Sequence, residues 1–163
     1  MRLIKLVLVS LVILFALSTG LSLLLPSMVL VSRAVTIEAP PDSVLAKVKD
    51  IRQWTAWVDG MESPGVQIHS ATSATLGGTE VTIGTVSDTA IVSNWTSKKS
   101  NPQVATIRLI SRPGQPQTVV QWQFVEQVKW YPWAKLGSMM NDKIMGPMME
   151  KNLDNLKRSL ENK

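Results

Sequence analysis

Residues 120–163 read VQWQFVEQVKWYPWAKLGSMMNDKIMGPMMEKNLDNLKRSLENK, and they join an alternating segment to a long helical one. Val120, Trp122 and Phe124 share one parity, opposite Gln121 and Gln123, which is typical of a strand with one buried face. The aromatic turn 130–133 follows, and a helix is predicted to begin near Trp133 or Ala134. Its second half carries a narrow apolar stripe that would face a core, formed by Met149, Leu153, Leu156 and Leu160.

This helical segment is crowded with methionines, whose flexible and polarizable side chains suit a surface that adapts to a neighbouring sheet or to an apolar ligand. They are Met139, Met140, Met145, Met148 and Met149. Pro147 cannot donate a backbone hydrogen bond, so we expect it to kink the helix or restart it after Gly146.

Upstream of this stretch, the pattern predicts a strand, two short helices and a run of strands. Residues 28–37 alternate as a strand with Arg33 as the exception, and the pair Pro40–Pro41 then begins a helix. A second short helix follows Asp50, with Ile51, Trp54 and Trp57 at a spacing of three. Further strands are expected at 66–69, 80–86, 89–95, 104–110 and 118–125, with Gly77–Gly78 as a turn. This order predicts an α+β domain in which a curved antiparallel sheet wraps one face around the C-terminal helix.

The N-terminus predicts a membrane segment. Residues 6–25 carry no charge, and a helix of that length spans about 30 Å, the thickness of a bilayer's hydrocarbon core. Arg2 and Lys5 precede it, which favours a cytoplasmic N-terminus and an extracytoplasmic domain. We therefore expect a retained single-pass anchor at 1–26, in the membrane through residues 3–25, and one domain at 27–163. A cleaved signal peptide is the alternative, although the apolar run is long for one and no clear cleavage site follows it.

Composition excludes several functions. The chain has no cysteine and one histidine, His69, so neither a zinc site nor a Ser-His-Asp triad is predicted, and we expect no metal and no cofactor. The net charge of +5 includes Arg2 and Lys5 and is otherwise dispersed, which argues against nucleic acid as a partner. Asp50 and Arg52 are expected to cap a helix and face solvent.

Three motifs carry a resemblance to a known superfamily. RAVTIEAPPDSV at 33–44 is similar to an opening strand and helix of the form R-x-I-x-I-x-A-P-P-E-x-V, and DIRQWTAW at 50–57 to D-x-x-x-W-x-x-W. MMNDKIMGP at 139–147, continuing through EKNLDNLK at 150–157, is similar to M-D-K-x-x-G-x-x-(F/M)-E-K-G-L-x-N-L-K, with Asn152 in place of the usual glycine. The chain thus resembles the START-like or SRPBCC superfamily, in particular its membrane-anchored bacterial members. The resemblance implies the helix-grip fold and leaves the substrate open.

Under this resemblance we expect a membrane-tethered protein that binds a hydrophobic small molecule or lipid between sheet and helix. The candidate cavity residues are apolar side chains: Trp54, Trp57, Trp122, Phe124, Met139, Met140, Met145, Met148 and Met149. For the tryptophans core packing is favoured over cavity lining, and contact of the aromatic turn 130–133 with the bilayer is a further alternative. A cyclase- or hydrolase-like enzyme and a protein-interaction module remain as other functions. The enzyme is less favoured because the sequence contains no catalytic constellation.

Overall fold

The computed structural model of the chain describes residues 2–24, 26–98, 100–112, 114–129, 131–138 and 140–161. Helix α1 (Arg2–Leu24) is followed by β1 (Met28–Ile37), α2 (Pro41–Val48) and a 3₁₀ helix at Ile51–Ala56. Six strands then follow, and two helices, α3 (Pro132–Ser138) and α4 (Asn141–Glu161), close the chain. The six strands are β2 (Val66–Ile68), β3 (Ser73–Leu76), β4 (Thr79–Val86), β5 (Ala90–Ser97), β6 (Gln103–Ser111) and β7 (Thr118–Gln127).

The seven strands form one antiparallel sheet in the order β1-β7-β6-β5-β4-β3-β2. The consecutive strands from β2 to β7 are a meander, and β1 pairs with β7 at the edge. Gly77 and Gly78 have φ of 56° and 88° and make the two-residue turn between β3 and β4, a conformation that favours glycine. A bulge in β4 between Ile83 and Thr85 shifts its register against β5 and increases the local twist.

The core lies between one face of this sheet and a helical layer made of α2, the 3₁₀ helix and α4. Alternate strand residues point into it, among them Val81, Ile107, Leu109 and Val120. The architecture confirms the expected α+β helix-grip fold, a curved antiparallel sheet around a long C-terminal helix. The short strand β3 was not predicted.

The C-terminal helices differ from the sequence expectation. The predicted restart after Gly146 is wrong, because α4 continues through Pro147 from Asn141 to Glu161, and the alternative of a kink at this proline stays a prediction. The break instead falls between α3 and α4, where the N–H of Met140 bonds to the carbonyl of Gly137 and the carbonyl of Met140 accepts from Lys143. A proline removes one hydrogen bond of the helix, and α4 continues despite that loss.

Helix α1 is long and apolar enough to cross a membrane. A signal sequence or a buried helix meets the same criteria. Almost all side chains of α1 are exposed, so α1 does not belong to the core of the domain.

Candidate functional site

Five aromatic side chains form a closed cluster in the layer between sheet and helices. Successive ring centroids are 5.8 Å apart for Trp54–Trp57, 5.6 Å for Trp57–Trp122 and 5.3 Å for Trp122–Phe124. The circuit closes through Phe124–Trp95 at 5.2 Å and Trp95–Trp54 at 6.2 Å. These separations lie in the range of favourable aromatic pairs, so each ring packs against two others.

Local structure explains how these rings meet. Trp54 lies in the 3₁₀ helix and Trp57 follows directly after it, so the spacing of three turns both indoles toward the sheet. Trp122 and Phe124 alternate on the inner face of β7, and Trp95 lies two strands away on β5. Trp95 was not among the predicted cavity residues. Its shared parity with buried Ile91 and Ser93 was the signal for its inward orientation.

The two buried indoles of the helical segment differ in hydrogen bonding. The Nε1–H of Trp54 donates to the carbonyl of Val48 at 2.9 Å. The Nε1 of Trp57 is buried and has no hydrogen-bond partner among the described residues. A buried donor without a partner costs about 1–3 kcal/mol, so the two neighbouring indoles differ in what their N–H groups contribute to stability.

Helix α4 is fixed above this cluster by polar contacts to the loop that follows Trp57. The Oδ1 of buried Asn152 accepts the backbone N–H of Asp59 at 2.9 Å. The Nδ2 of Asn155 donates to the carbonyl of Trp57 at 3.4 Å, and Lys151 pairs with the Asp59 carboxylate. Asn152 replaces the glycine of the resembling motif, and the contact to Asp59 gives that side chain a structural role.

Arg33 connects β1 to the first half of α4. Its Nε lies 2.6 Å from a carboxylate oxygen of Glu150, its Nη1 lies 3.0 Å from Asp142, and the guanidinium packs against Gly146. Hydrogen bonds to Asp142, then to Glu150, raise the pKa of Arg33. This arrangement explains why a charged residue occupies the inward parity of β1.

The structure places the predicted cavity residues in three environments. Trp54, Trp57, Trp122, Phe124 and Met149 are buried in the core. Met145 is half-buried, whereas Met140 and Met148 are 52% and 44% exposed, and Met139 lies outside the described residues. Met148 is thus on the exposed side of α4, because the helix turns Met149, Leu153 and Leu156 toward the sheet, and Met140 is exposed directly before the helix begins. A ligand-lining role for this set stays a prediction.

Other polar candidates have structural partners. Asp50 caps the 3₁₀ helix by accepting the N–H of Arg52 at 2.9 Å, as expected, and the Arg52 side chain also lowers the pKa of Asp50. His69 is exposed and lies 2.9 Å from the hydroxyl of Thr75. Within the described ranges, no group of three or more His, Cys, Asp or Glu residues could hold a metal ion.

A buried carboxylate lies on the inner face of β7, near its end. The two oxygens of Glu126 accept hydrogen bonds from the side-chain amides of Asn101 at 2.8 Å and Gln103 at 3.1 Å. Its charge is therefore solvated by the protein. This contact has no local signal in the sequence, because β6 and β7 must pair before it forms.

Surface depressions lie elsewhere. One of about 350 Å³ is lined by Thr55 and residues 58–63, and another by residues 38–40 with Ser43, Leu160 and Glu161. Neither includes a member of the aromatic cluster.

A family model described as "Polyketide cyclase / dehydrase and lipid transport" matches residues 28–161. The chain belongs to this family. The match covers the sheet, the aromatic cluster and α4, and it confirms the START-like or SRPBCC assignment. No curated protein matches the chain.

Several solved structures share the fold of this chain. A protein from Nitrosospira multiformis aligns with a TM-score of 0.62 at 14% identity, over 81% of this chain and 96% of that one. A START superfamily protein from Mycobacterium smegmatis gives 0.61 at 15% identity, over 82% and 97%. The di-domain ARO/CYC BexL from the BE-7585A biosynthetic pathway gives 0.60 at 14% identity, over 83% of this chain and 50% of that one. At these identities the similarity shows a shared fold and nothing about the ligand or activity of this chain.

Proposed function

We propose that this chain is a membrane-tethered protein that binds a hydrophobic small molecule or a lipid between its sheet and α4. Residues 1–26 would be the anchor and residues 27–163 the binding domain. The family description and the START-like fold support a hydrophobic ligand in general terms. The observation that carries the proposal is the cluster of five aromatic rings between sheet and helices, in which the buried Trp57 N–H has no hydrogen-bond partner among the described residues.

This observation supports a ligand with an apolar body and one hydrogen-bond acceptor. An apolar body would pack on the rings of Trp57, Trp122 and Phe124, and removing its own apolar surface from water is favourable at about 25 cal/mol per Å². One oxygen of the ligand, from an ester, a ketone or an alcohol, would accept the Trp57 N–H and remove the cost of leaving this donor unpaired. A pure hydrocarbon would lack that second contribution.

Ligand entry requires a displacement of side chains, because the five rings are in mutual contact. The first half of α4 is the element best suited to move. Ile144 is 69% exposed and Met145 half-buried there, whereas Met149, Leu153 and Leu156, further along the helix, are buried. Arg33 holds the first half to β1 through exposed carboxylates, and exposed ion pairs of this kind contribute little, typically up to about 1 kcal/mol.

The anchor would place this domain where apolar ligands concentrate. Arg2 and Lys5 precede α1 and favour a cytoplasmic N-terminus with the domain on the opposite side of a bacterial inner or cell membrane. Chain geometry supports a domain close to the bilayer, because β1 begins at Met28, only four residues after α1 ends at Leu24. The same end of the sheet holds the last residues of β7, since Met28 pairs with Gln127.

Native mass spectrometry of the full chain, released from detergent micelles after purification from membranes, tests the proposal. We expect a population of the intact protein with one additional mass in the range of a lipid or another hydrophobic metabolite. Trp57→Phe should reduce this population, whereas Ile110→Ala, on the exposed face of β6, should leave it unchanged. Repeated detection of the bare chain alone would refute the binding function.

A further inference from the structure

A second membrane contact emerges from the position of α3. Pro132 and Trp133 lie against α1, and together with Leu11, Leu14, Phe15 and Ser18 they line a shallow groove of about 310 Å³. The indole of Trp133 is 65% exposed, and its ring stacks on Tyr131 with centroids 5.3 Å apart. An exposed indole stacked on a half-buried tyrosine beside an apolar helix is unusual for a surface in water and typical of a membrane interface.

The depth of this contact along α1 follows from helix geometry. At about 1.5 Å per residue, Ser18 lies about 9 Å and Leu14 about 15 Å from the end of the helix at Leu24. If α1 spans a bilayer, these positions lie inside the hydrocarbon region, which is about 30 Å thick. Trp133 contacts α1 at this depth, so it shares the same surroundings.

The distribution of charge on α3 agrees with a lipid environment. Lys135 is the only charged residue in the helix, and it is 4% exposed. Its Nζ donates to the backbone carbonyl of Ser22 at 2.7 Å, near the negative C-terminal end of α1. The charge is therefore turned inward while Trp133 is turned outward, the reverse of the arrangement expected for a short helix in water.

The apolar surface continues into the next helix. Met140 is 52% exposed and Ile144 69% exposed, and a spacing of four places them on one side at the beginning of α4. We propose that α3 and this first turn of α4 insert into the outer leaflet beside α1, with lipid acyl chains as the occupant of their exposed apolar face. This inference rests on the proposed membrane tether and adds a lipid-facing entrance at the half of α4 expected to move.

Spin labelling tests the inference directly, because the chain contains no cysteine and each introduced label is therefore unique. The full chain would be reconstituted into vesicles of phosphatidylethanolamine and phosphatidylglycerol with a nitroxide at Trp133→Cys. Gly137→Cys is a second α3 site, since no heavy atom lies within 4 Å of a Cβ added there. Leu14→Cys reports on the anchor, and Ile68→Cys, partly exposed on β2, reports on the water-facing domain.

Power saturation with oxygen and with a water-soluble nickel chelate gives the depth of each label. We expect the two α3 labels and the Leu14 label to show an oxygen-to-nickel accessibility ratio severalfold above that of the Ile68 label. If both α3 labels match Ile68 while Leu14 is in lipid, the inserted α3 is refuted and the tether stands. If the Leu14 label is itself in water, the tether fails and the insertion of α3 fails with it.

Discussion

The two indoles Trp54 and Trp57 offer a matched comparison for the vacant donor. Both are 1% exposed, and their ring centroids lie 5.8 Å apart, so replacing either by phenylalanine removes the same atoms from the same core. The costs of lost volume therefore largely cancel in the comparison. The hydrogen bonding does not cancel, because the Trp54 N–H is bonded to Val48 and the Trp57 N–H has no described partner.

The expected difference follows from these contacts. Trp54→Phe leaves the Val48 carbonyl without its donor, at a cost of about 1–3 kcal/mol. Trp57→Phe removes a buried unpaired donor and so recovers about 1–3 kcal/mol. Trp57→Phe should thus be more stable than Trp54→Phe by at least about 2 kcal/mol, the sum of the two lower limits.

Urea unfolding of the full chain in detergent, followed by near-ultraviolet circular dichroism, measures this difference. With a slope of about 2 kcal/mol per M, the midpoints of the two variants should differ by about 1 M. The protein should be freed of lipid first, because a ligand that accepts the Trp57 N–H would also stabilise the wild type. Equal losses of stability in the two variants would show that the Trp57 N–H has a partner in the folded protein, and the argument from a vacant donor would be refuted.

Three further perturbations test other contacts of the site. Asn152→Leu should lower the free energy of unfolding by about 1–2 kcal/mol in urea titrations, because the N–H of Asp59 loses its acceptor; an unchanged midpoint would contradict this. Asp50→Asn keeps a good helix cap but removes a carboxyl whose pKa is lowered in the folded protein. This carboxyl stabilises the fold at pH values above the ordinary carboxyl pKa, and the stabilisation is lost as the pH falls through the pKa of Asp50 in the folded protein. The stability of the variant should fall less than that of the wild type between about pH 5 and pH 3, and parallel pH curves would refute the assignment. Arg33→Gln should increase amide hydrogen exchange in the first half of α4 but not in its second half, because its ion pairs with Asp142 and Glu150 are lost. An equal increase in both halves would contradict the view that Arg33 holds only the first half to β1.

Much of the fold follows from local patterns. The parity of Val120, Trp122 and Phe124 predicts which face of β7 is buried, and the Gly77–Gly78 turn is predicted by the freedom of glycine at positive φ. Strand β3 escaped prediction because it is only four residues long and buries a single side chain, Ala74. A segment so short carries too little alternation to distinguish it from a loop.

The site depends on contacts between distant parts of the chain. Asn152 and Asp59 are 93 residues apart, and Arg33 and Glu150 are 117 apart, so neither bond has a local signal. The methionine cluster illustrates the same limit. Composition predicts an adaptable surface, but only the rotation of α4 decides that Met149 faces the core while Met148, its neighbour, is exposed.

Photo-crosslinking with a phospholipid that carries a diazirine in its acyl chain tests the binding of a ligand between sheet and helix most directly. The full chain would be irradiated in vesicles and its labelled peptides mapped by mass spectrometry. We expect labels on the inner face of β7 within residues 118–127 and on the core side of α4 within residues 145–156, in addition to α1. Labels confined to α1 and α3 would contradict it, because lipid would then surround the anchor without entering the domain.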